Sequence, residues 1–388
     1  MPVGYLVAVV AVGSAALLAL APPRRPRRLA MTSYLVGIAF TDLPALALLY
    51  LLATTLVAVD GGDVDSAGGW LTSGLAVLVA CELAVLAWLD GRARPAVEEA
   101  LVRDLGIGRQ HQIHTADTRT RRRRCVRSLF FPFPVRHPDI RRVRNIRYGD
   151  GGRRNLLDVY HRRSRPGGGP VLIHLHGGHY TGGRKSTQSL PLLHRLASHG
   201  WVCVSANYRL SPAAGLREHL TDAKKVIAWV REHGAEYGAD PSAIFVAGSS
   251  AGAHLMTLAA LTADDPAHQP GFETVDTSAT AVLCLGGYYG DYGVDPGWQG
   301  ASSPLDYVRP DAPPFFVAHG ERDSLVHVEA VREFVAGLRA VSASPVVYAE
   351  LPGGQHGFDL FHSVRFEPVI DGIEAFAAWT LSRRISTA

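Results

Sequence analysis

The sequence of 388 residues predicts an α/β domain with a doubly wound, mostly parallel sheet, preceded by three transmembrane helices. Three observations carry this reading. The first ninety residues hold three long apolar stretches almost free of charge. From about Val143 onward, short runs rich in β-branched residues alternate with helical stretches. In the middle of that second region, a buried strand runs through a tight glycine-flanked motif into a helix. A composition of 47% apolar and 19% charged residues excludes a disordered chain, whose mark is low hydrophobicity with high net charge. Four cysteines are too few for a disulfide scaffold of this length.

The spans come first along the chain. Met1 to Leu20 carries no charged side chain, and Arg24, Arg25, Arg27 and Arg28 follow at once. Twenty residues at helical rise cover about 30 Å, the thickness of the hydrocarbon core. The basic cluster lies after the apolar run rather than before it, which argues for a retained span over a cleaved leader. A second stretch runs from Tyr34 to Val59, interrupted by Asp42 and Pro44. The third, Trp70 to Leu89, contains a single Glu82 and carries Trp70 and Trp88 near its ends, where interfacial aromatics belong. Asp42 is expected near the interface, and Glu82 protonated or paired inside the bundle.

The short loops orient these spans. Arg24–Arg28 is positive, Asp60–Gly69 carries Asp60, Asp63 and Asp65 without a base, and Arg92 and Arg94 follow the third span. The positive-inside rule then places the N-terminus outside and everything after residue 90 in the cytoplasm, as a multi-pass protein of the cell membrane. Cysteines that form no motif agree with a reducing compartment.

Residues 91–145 read as a basic connector able to form a lid, with a short amphipathic helix over Pro95–Leu105, and residues 146–388 as the catalytic domain. Between Arg119 and Arg165 there are sixteen arginines and three acids, a local charge of +13 within a chain of net +4. Such a block suits an anionic lipid surface. Nucleic acid is the poorer partner, because no recognition motif or stacking platform accompanies the charge.

Strands are expected over Asn155–Tyr160, Val171–Leu175, Val202–Ala206, Ile244–Ala247, Ala281–Leu285, Phe315–Ala318 and Val346–Leu351. Helices are expected over Leu190–His199, Arg217–His233, Ala251–Thr262 and Val328–Val341. Nearly continuous apolar strands between helices imply a parallel sheet covered on both faces.

The chemistry centres on Ile244–Gly252, a strand running into Gly248-Ser249-Ser250-Ala251-Gly252 and then a helix. That is the context of a nucleophile elbow, in which the central serine, Ser250, stands on a strained turn and Gly248 and Gly252 let backbones pass closely. A serine needs a base, itself oriented by an acid, and with this strand–elbow–helix arrangement the acid and base follow the serine in that order. Asp323 follows the strand Phe315–Ala318, and His356 follows Val346–Leu351 in a glycine-rich turn. The rivals are weaker: His319 precedes the acid, His362 is expected on a helix past the turn, and Glu321 and Asp291 are the other candidate acids. Donors for the charge that develops on a carbonyl oxygen are expected from the Ala251 amide and from the loop His176-Gly177-Gly178-His179. His176 would brace that loop. No metal or organic cofactor is expected, since no ligand cluster and no phosphate-cradling glycine loop occur.

With these residues together, the segment from about 145 to 380 resembles the α/β-hydrolase superfamily, and within it the hormone-sensitive-lipase-like carboxylesterases. The resemblance rests on His176-Gly177-Gly178, Asn207-Tyr208-Arg209-Leu210-Ser211-Pro212, Gly248–Gly252, Asp323 and His356. The three-span prefix adds a similarity to actinobacterial membrane-associated lipases and esterases. The resemblance implies a carboxylesterase or lipase with a Ser250–Asp323–His356 triad and oxyanion donors at Gly178, His179 and Ala251. The chain departs from the family's His-Gly-Gly-Gly at His179, which narrows the pocket and points toward the formamidase-like and feruloyl- or acetyl-esterase branches. Amidase or peptidase chemistry, and a non-catalytic interaction module, stand as alternatives at this stage.

Overall fold

In the computed structural model, which describes residues 3–107, 123–124, 126–129, 131–133, 137–164, 167–293, 295, 297–298 and 300–387, Pro44 decides the course of the N-terminal region. Helix α1 (Val3–Leu20) is long and apolar enough to cross a membrane, as is α4 (Ala67–Gly91) with its continuation α5 (Ala93–Leu105). The stretch expected as a second straight span is instead two helices. These are α2 (Arg27–Asp42) and α3 (Pro44–Asp60), bent by 86° at Leu43. Proline lacks an amide proton and clashes with the preceding turn, and it drives the residue before it out of the helical region. Leu43 accordingly sits at φ −129°, ψ 42°. The helix α4 starts three residues earlier than expected because Ser66 caps it, accepting from the Gly69 amide at 3.0 Å.

Side-chain pairs show how these helices run. Tyr5 at the start of α1 meets Thr55 late in α3 at 3.1 Å, so those two are antiparallel. Two contacts join α2 to the last turn of α1: Ser33 donates to the Leu18 carbonyl at 2.9 Å, and Gly37 lies against Ala19. With α3 antiparallel to α1 and α2 bent by 86° from α3, α2 crosses α1 near that end.

An eight-stranded sheet follows, in the order β1-β2-β4-β3-β5-β6-β7-β8. Its strands are β1 (Ile140–Arg147), β2 (Leu156–Arg162), β3 (Gly169–Leu175), β4 (Val202–Ala206), β5 (Ala239–Ser249), β6 (Ala281–Leu285), β7 (Phe315–Gly320) and β8 (Val346–Leu351). The pairs of β2 with β1 and β4 are antiparallel, and all others are parallel. Alternate residues feed two cores. Ile173 and Val246 face one with α7 (Leu216–His233), α8 (Ala251–Leu261) and α9 (Val328–Val341); Leu172 and Phe245 face the other with α5, α6 (Leu190–Ser198) and α10 (Phe366–Thr387).

The structure departs from the sequence expectations in places. The strand β1 begins inside the segment read as connector and runs two residues beyond it; its arginines hid it, because they sit on an edge strand. Arg142 there turns inward to Asp158 at 2.5 Å, and Lys185 reaches the same carboxylate at 2.6 Å. The α5 residues Ala93, Val97, Ala100 and Leu101 are buried in the second core. Arg119, Arg121, Arg122, Arg136 and Arg165 of the basic block lie outside the described residues. His362 is not on a helix; α10 begins at Phe366. Asp42 pairs with Arg365 of the sheet domain, and Glu82 keeps one buried oxygen without a partner among the described residues.

Candidate active site

Ser250 follows the last residue of β5 and precedes α8, with φ 53° and ψ −118°. A non-glycine residue rarely takes a positive φ, so the surrounding packing has to hold it there. Two glycines make that packing available. A Cβ on Gly248 would lie 2.2 Å from the Gly252 carbonyl carbon, and one on Gly252 would lie 2.2 Å from the Leu175 carbonyl oxygen.

The C-terminal ends of β7 and β8 bring the partners. His356 Nε2 lies 2.9 Å from Ser250 Oγ, and its Nδ1 lies 2.7 Å from Asp323 Oδ2. The other oxygen of Asp323 accepts from the amides of Leu325 and Val326 at 2.9 and 2.8 Å, which locks the carboxylate. Gln355 Oε1 accepts from the amides of Ser324 and His356, both at 2.8 Å, and so ties the two loops together. Burial works to raise the Asp323 carboxyl, but the charge and hydrogen bond of His356 outweigh it and hold the group below its ordinary value. Burial likewise opposes protonation of His356, and the Asp323 carboxylate overrides it, so the imidazole stands above its ordinary value.

The rivals are placed elsewhere in this network. His319 Nε2 lies 3.3 Å from the same Asp323 oxygen that His356 meets and bonds the Val326 carbonyl. Glu321 accepts from the Gly353 amide, and Asp291 lies on the loop after β6, where Ser302 donates to it.

The loop after β3 closes over the serine. A Cβ on Gly177 would fall 2.8 Å from both Ser250 Cβ and the Ser249 carbonyl oxygen, so only glycine fits. The Gly177 amide donates to Gln188, whereas the amides of Gly178, His179 and Ala251 have no acceptor among the described residues. Gly178 (φ 123°), His179 (φ 54°) and Tyr180 (φ 60°) all lie in the positive-φ region. His176 stacks on Tyr208 with centroids 4.6 Å apart, and burial pushes its imidazole down to about 4, leaving a neutral brace for the loop.

Sequence reasoning missed two features here. Behind the elbow, Ser249 donates to Asp359 at 2.5 Å, Ser189 donates to the same oxygen at 2.6 Å, and His174 reaches Ser249 at 3.0 Å. The position of Asp359, three residues after His356, was the one available signal. In front of the site, Tyr34 of α2 sets its ring edge-on to His356, centroids 5.6 Å apart, and Arg27 bonds His179 at 3.0 Å. Nothing in the local sequence of α2 points to this. Among the described residues, no cluster of three or more His, Cys, Asp or Glu side chains could hold a metal.

The BD-FAE family model matches residues 157–284. The probable carboxylic ester hydrolase LipM of Mycobacterium tuberculosis is 35% identical over 97% of this chain and 93% of its own length. The chain belongs to the family of LipM. The LipM likeness extends through the N-terminal helices. Esterase LipQ of the same organism is 43% identical, over 62% of this chain and 63% of its own length, just under two thirds of that relative. A thermophilic esterase of Thermogutta terrifontis, solved with butyrate bound, superimposes with a TM-score of 0.54 at 22% identity, covering 62% of this chain and 94% of that one. This last likeness shows that the LipM-like chain has the α/β-hydrolase esterase fold.

Proposed function

We propose that the protein is a membrane-anchored serine carboxylesterase or lipase whose triad is Ser250, His356 and Asp323. The observation that carries this is the continuous pair of hydrogen bonds from Ser250 Oγ through His356 to Asp323, at 2.9 and 2.7 Å. Ser250 Oγ attacks the ester carbonyl carbon as His356 Nε2 takes its proton, and the carbonyl oxygen becomes an oxyanion facing the amides of Gly178, His179 and Ala251. Collapse breaks the bond to the alcohol oxygen, which leaves with the proton returned by His356. Water then repeats the sequence on the acyl-serine and releases the acid. Asp323 holds the imidazole in the tautomer that presents a bare Nε2 to the serine and stabilises the imidazolium.

The anchor is formed by α1, α3 and α4, with residues 91–388 on the cytoplasmic side. Arg24, Arg25, Arg27 and Arg28 at one end of the helices and Asp60, Asp63 and Asp65 at the other support that orientation. Exposed Arg123, Arg127, Arg141, Arg144 and Arg147 are available to anionic lipid. The test is covalent labelling of the detergent-solubilised full chain with a fluorophosphonate, alongside turnover of p-nitrophenyl butyrate. Labelling confined to Ser250 with turnover supports the assignment; turnover that survives complete labelling elsewhere overturns it.

A further inference from the structure

The helix α2 has two faces with different neighbours. Its inner face reaches the loops that carry the site. The Ala30 carbonyl accepts from Ser324 beside Asp323, Tyr34 faces His356, Arg27 holds His179, and Asp42 pairs with Arg365. The Tyr34 hydroxyl also lies 3.2 Å from where a Cβ on Gly357 would sit. Its outer face is apolar and bare: Leu29, Met31, Leu35 and Val36 are 40–65% exposed. Arginines cluster at its start, and it stands at 86° to α3. The neighbouring helices place it at one end of the bundle. The contacts described above put the C-terminal end of α1 against α2, and the end of α4 meets the sheet domain at Asp90 and Leu89. The bundle therefore presents one end to the hydrolase domain, and α2 crosses that end.

We propose that α2 lies in the plane of the bilayer surface as the roof of the Ser250 pocket, and that the substrate is an amphiphilic ester resident in that bilayer. This rests on the serine-esterase reading given above. A helix with a basic start and one apolar face settles about 5–10 Å into the headgroup–acyl boundary. The ester carbonyls of a glycerolipid lie at that same boundary, so the scissile bond reaches Ser250 while the acyl chains stay in lipid. An exposed apolar patch rimmed by charge marks an interaction surface, and the flanking spans commit this one to lipid.

The full chain reconstituted in phosphatidylcholine–phosphatidylglycerol vesicles tests this with two substrates, dioleoylglycerol in the bilayer and p-nitrophenyl acetate in water. The double variant Leu35→Glu, Val36→Glu should lose at least tenfold on the vesicle-borne ester and stay within twofold on the acetate. Equal losses on both, or no loss on either, overturn the proposal. Since two new charges can also dislodge the helix, a bimane probe on Leu35→Cys, in a Cys81→Ser, Cys125→Ser background, measures position directly. Shallow brominated lipids should quench at least half of its emission; quenching below a tenth overturns the interfacial placement. Should the wild type turn over neither ester and resist the fluorophosphonate, the serine-esterase reading fails, while the quenching still reports where α2 lies.

Discussion

Asp42, at the end of α2, and Arg365, just ahead of α10, form a fully buried ion pair at 3.3 Å across 323 positions of sequence. Asp90 at the end of α4 reaches the same guanidinium at 3.4 Å, and Arg365 also donates to the Pro352 carbonyl at 2.5 Å, one turn before His356. One arginine therefore ties two N-terminal helices to the loop that carries the proposed base.

Removing that arginine leaves two carboxylates buried without a counter-charge, a change that costs about 3–5 kcal/mol. Arg365→Ala should lower the unfolding temperature of the solubilised full chain sharply. Asp42→Asn should cost less, because Asp90 still partners the guanidinium. Equal stability of Arg365→Ala and wild type in a thermal scan would show that the pair contributes nothing.

The two serines of the elbow should separate cleanly. Ser250→Ala should lose on the order of 10⁴-fold or more in kcat, as removal of a triad nucleophile does. Ser249→Ala should stay within about tenfold and instead lose about 1–3 kcal/mol of stability, since Asp359 forfeits one of its donors. Reversed effects in ester turnover and chemical denaturation would exchange their roles.

The pH profile follows from the His356–Asp323 pair. His356 must be neutral to act as a base, and Asp323 holds its pKa above the ordinary 6.5. Activity on p-nitrophenyl butyrate should therefore rise with pH along a limb centred above 6.5. Asp323→Asn removes the raising charge and should move that limb downward as well as lowering kcat. Stability at the acid end changes in the same direction with pH. Asp323 is held below its ordinary 3.8, so its contribution is present above about pH 4 and lost as pH falls through the lower folded value. A limb that stays in place in Asp323→Asn would separate His356 from this acid.

Gly177→Ala places a methyl group 2.8 Å from Ser250 Cβ and from the Ser249 carbonyl. The loop must retreat, taking the Gly178 and His179 amides with it. Loss of one oxyanion donor costs about 10²–10³ in kcat. The expected result is a loss of that size with KM little changed and with fluorophosphonate labelling slowed in parallel. Full activity would mean that the loop supplies no donor.

Orientation is open to a reporter that works only outside the cytoplasm. Alkaline phosphatase fused after Ala388 should be silent, and the same enzyme inserted between Gly61 and Gly69 should be active. The opposite pattern would place the Ser250 site outside the cell.

By itself the sequence determined seven of the eight strands and the chain order of the residues proposed for the chemistry. Strands such as Val202–Ala206 and Ala281–Leu285 are buried on both faces, so each reads as an apolar run, interrupted only by Ser205, with observed limits equal to those expected. The elbow was legible because its glycines answer a local steric demand, and Asp323 and His356 because each follows directly on a strand end. The edge strand β1 was not legible, since one open side lets it carry arginines and lose the apolar signature. Nor was the break at Leu43 read as a break: a hydropathy run counts apolar residues, whereas Pro44 redirects the backbone between them. What α2 does was decided by the tertiary structure alone. Ser33 and Asp42 look out of place in an apolar helix until α1 and Arg365 supply their partners. Tyr34 meets His356 through a packing contact between segments more than 300 residues apart, and a contact of that range leaves no local trace in either stretch of chain.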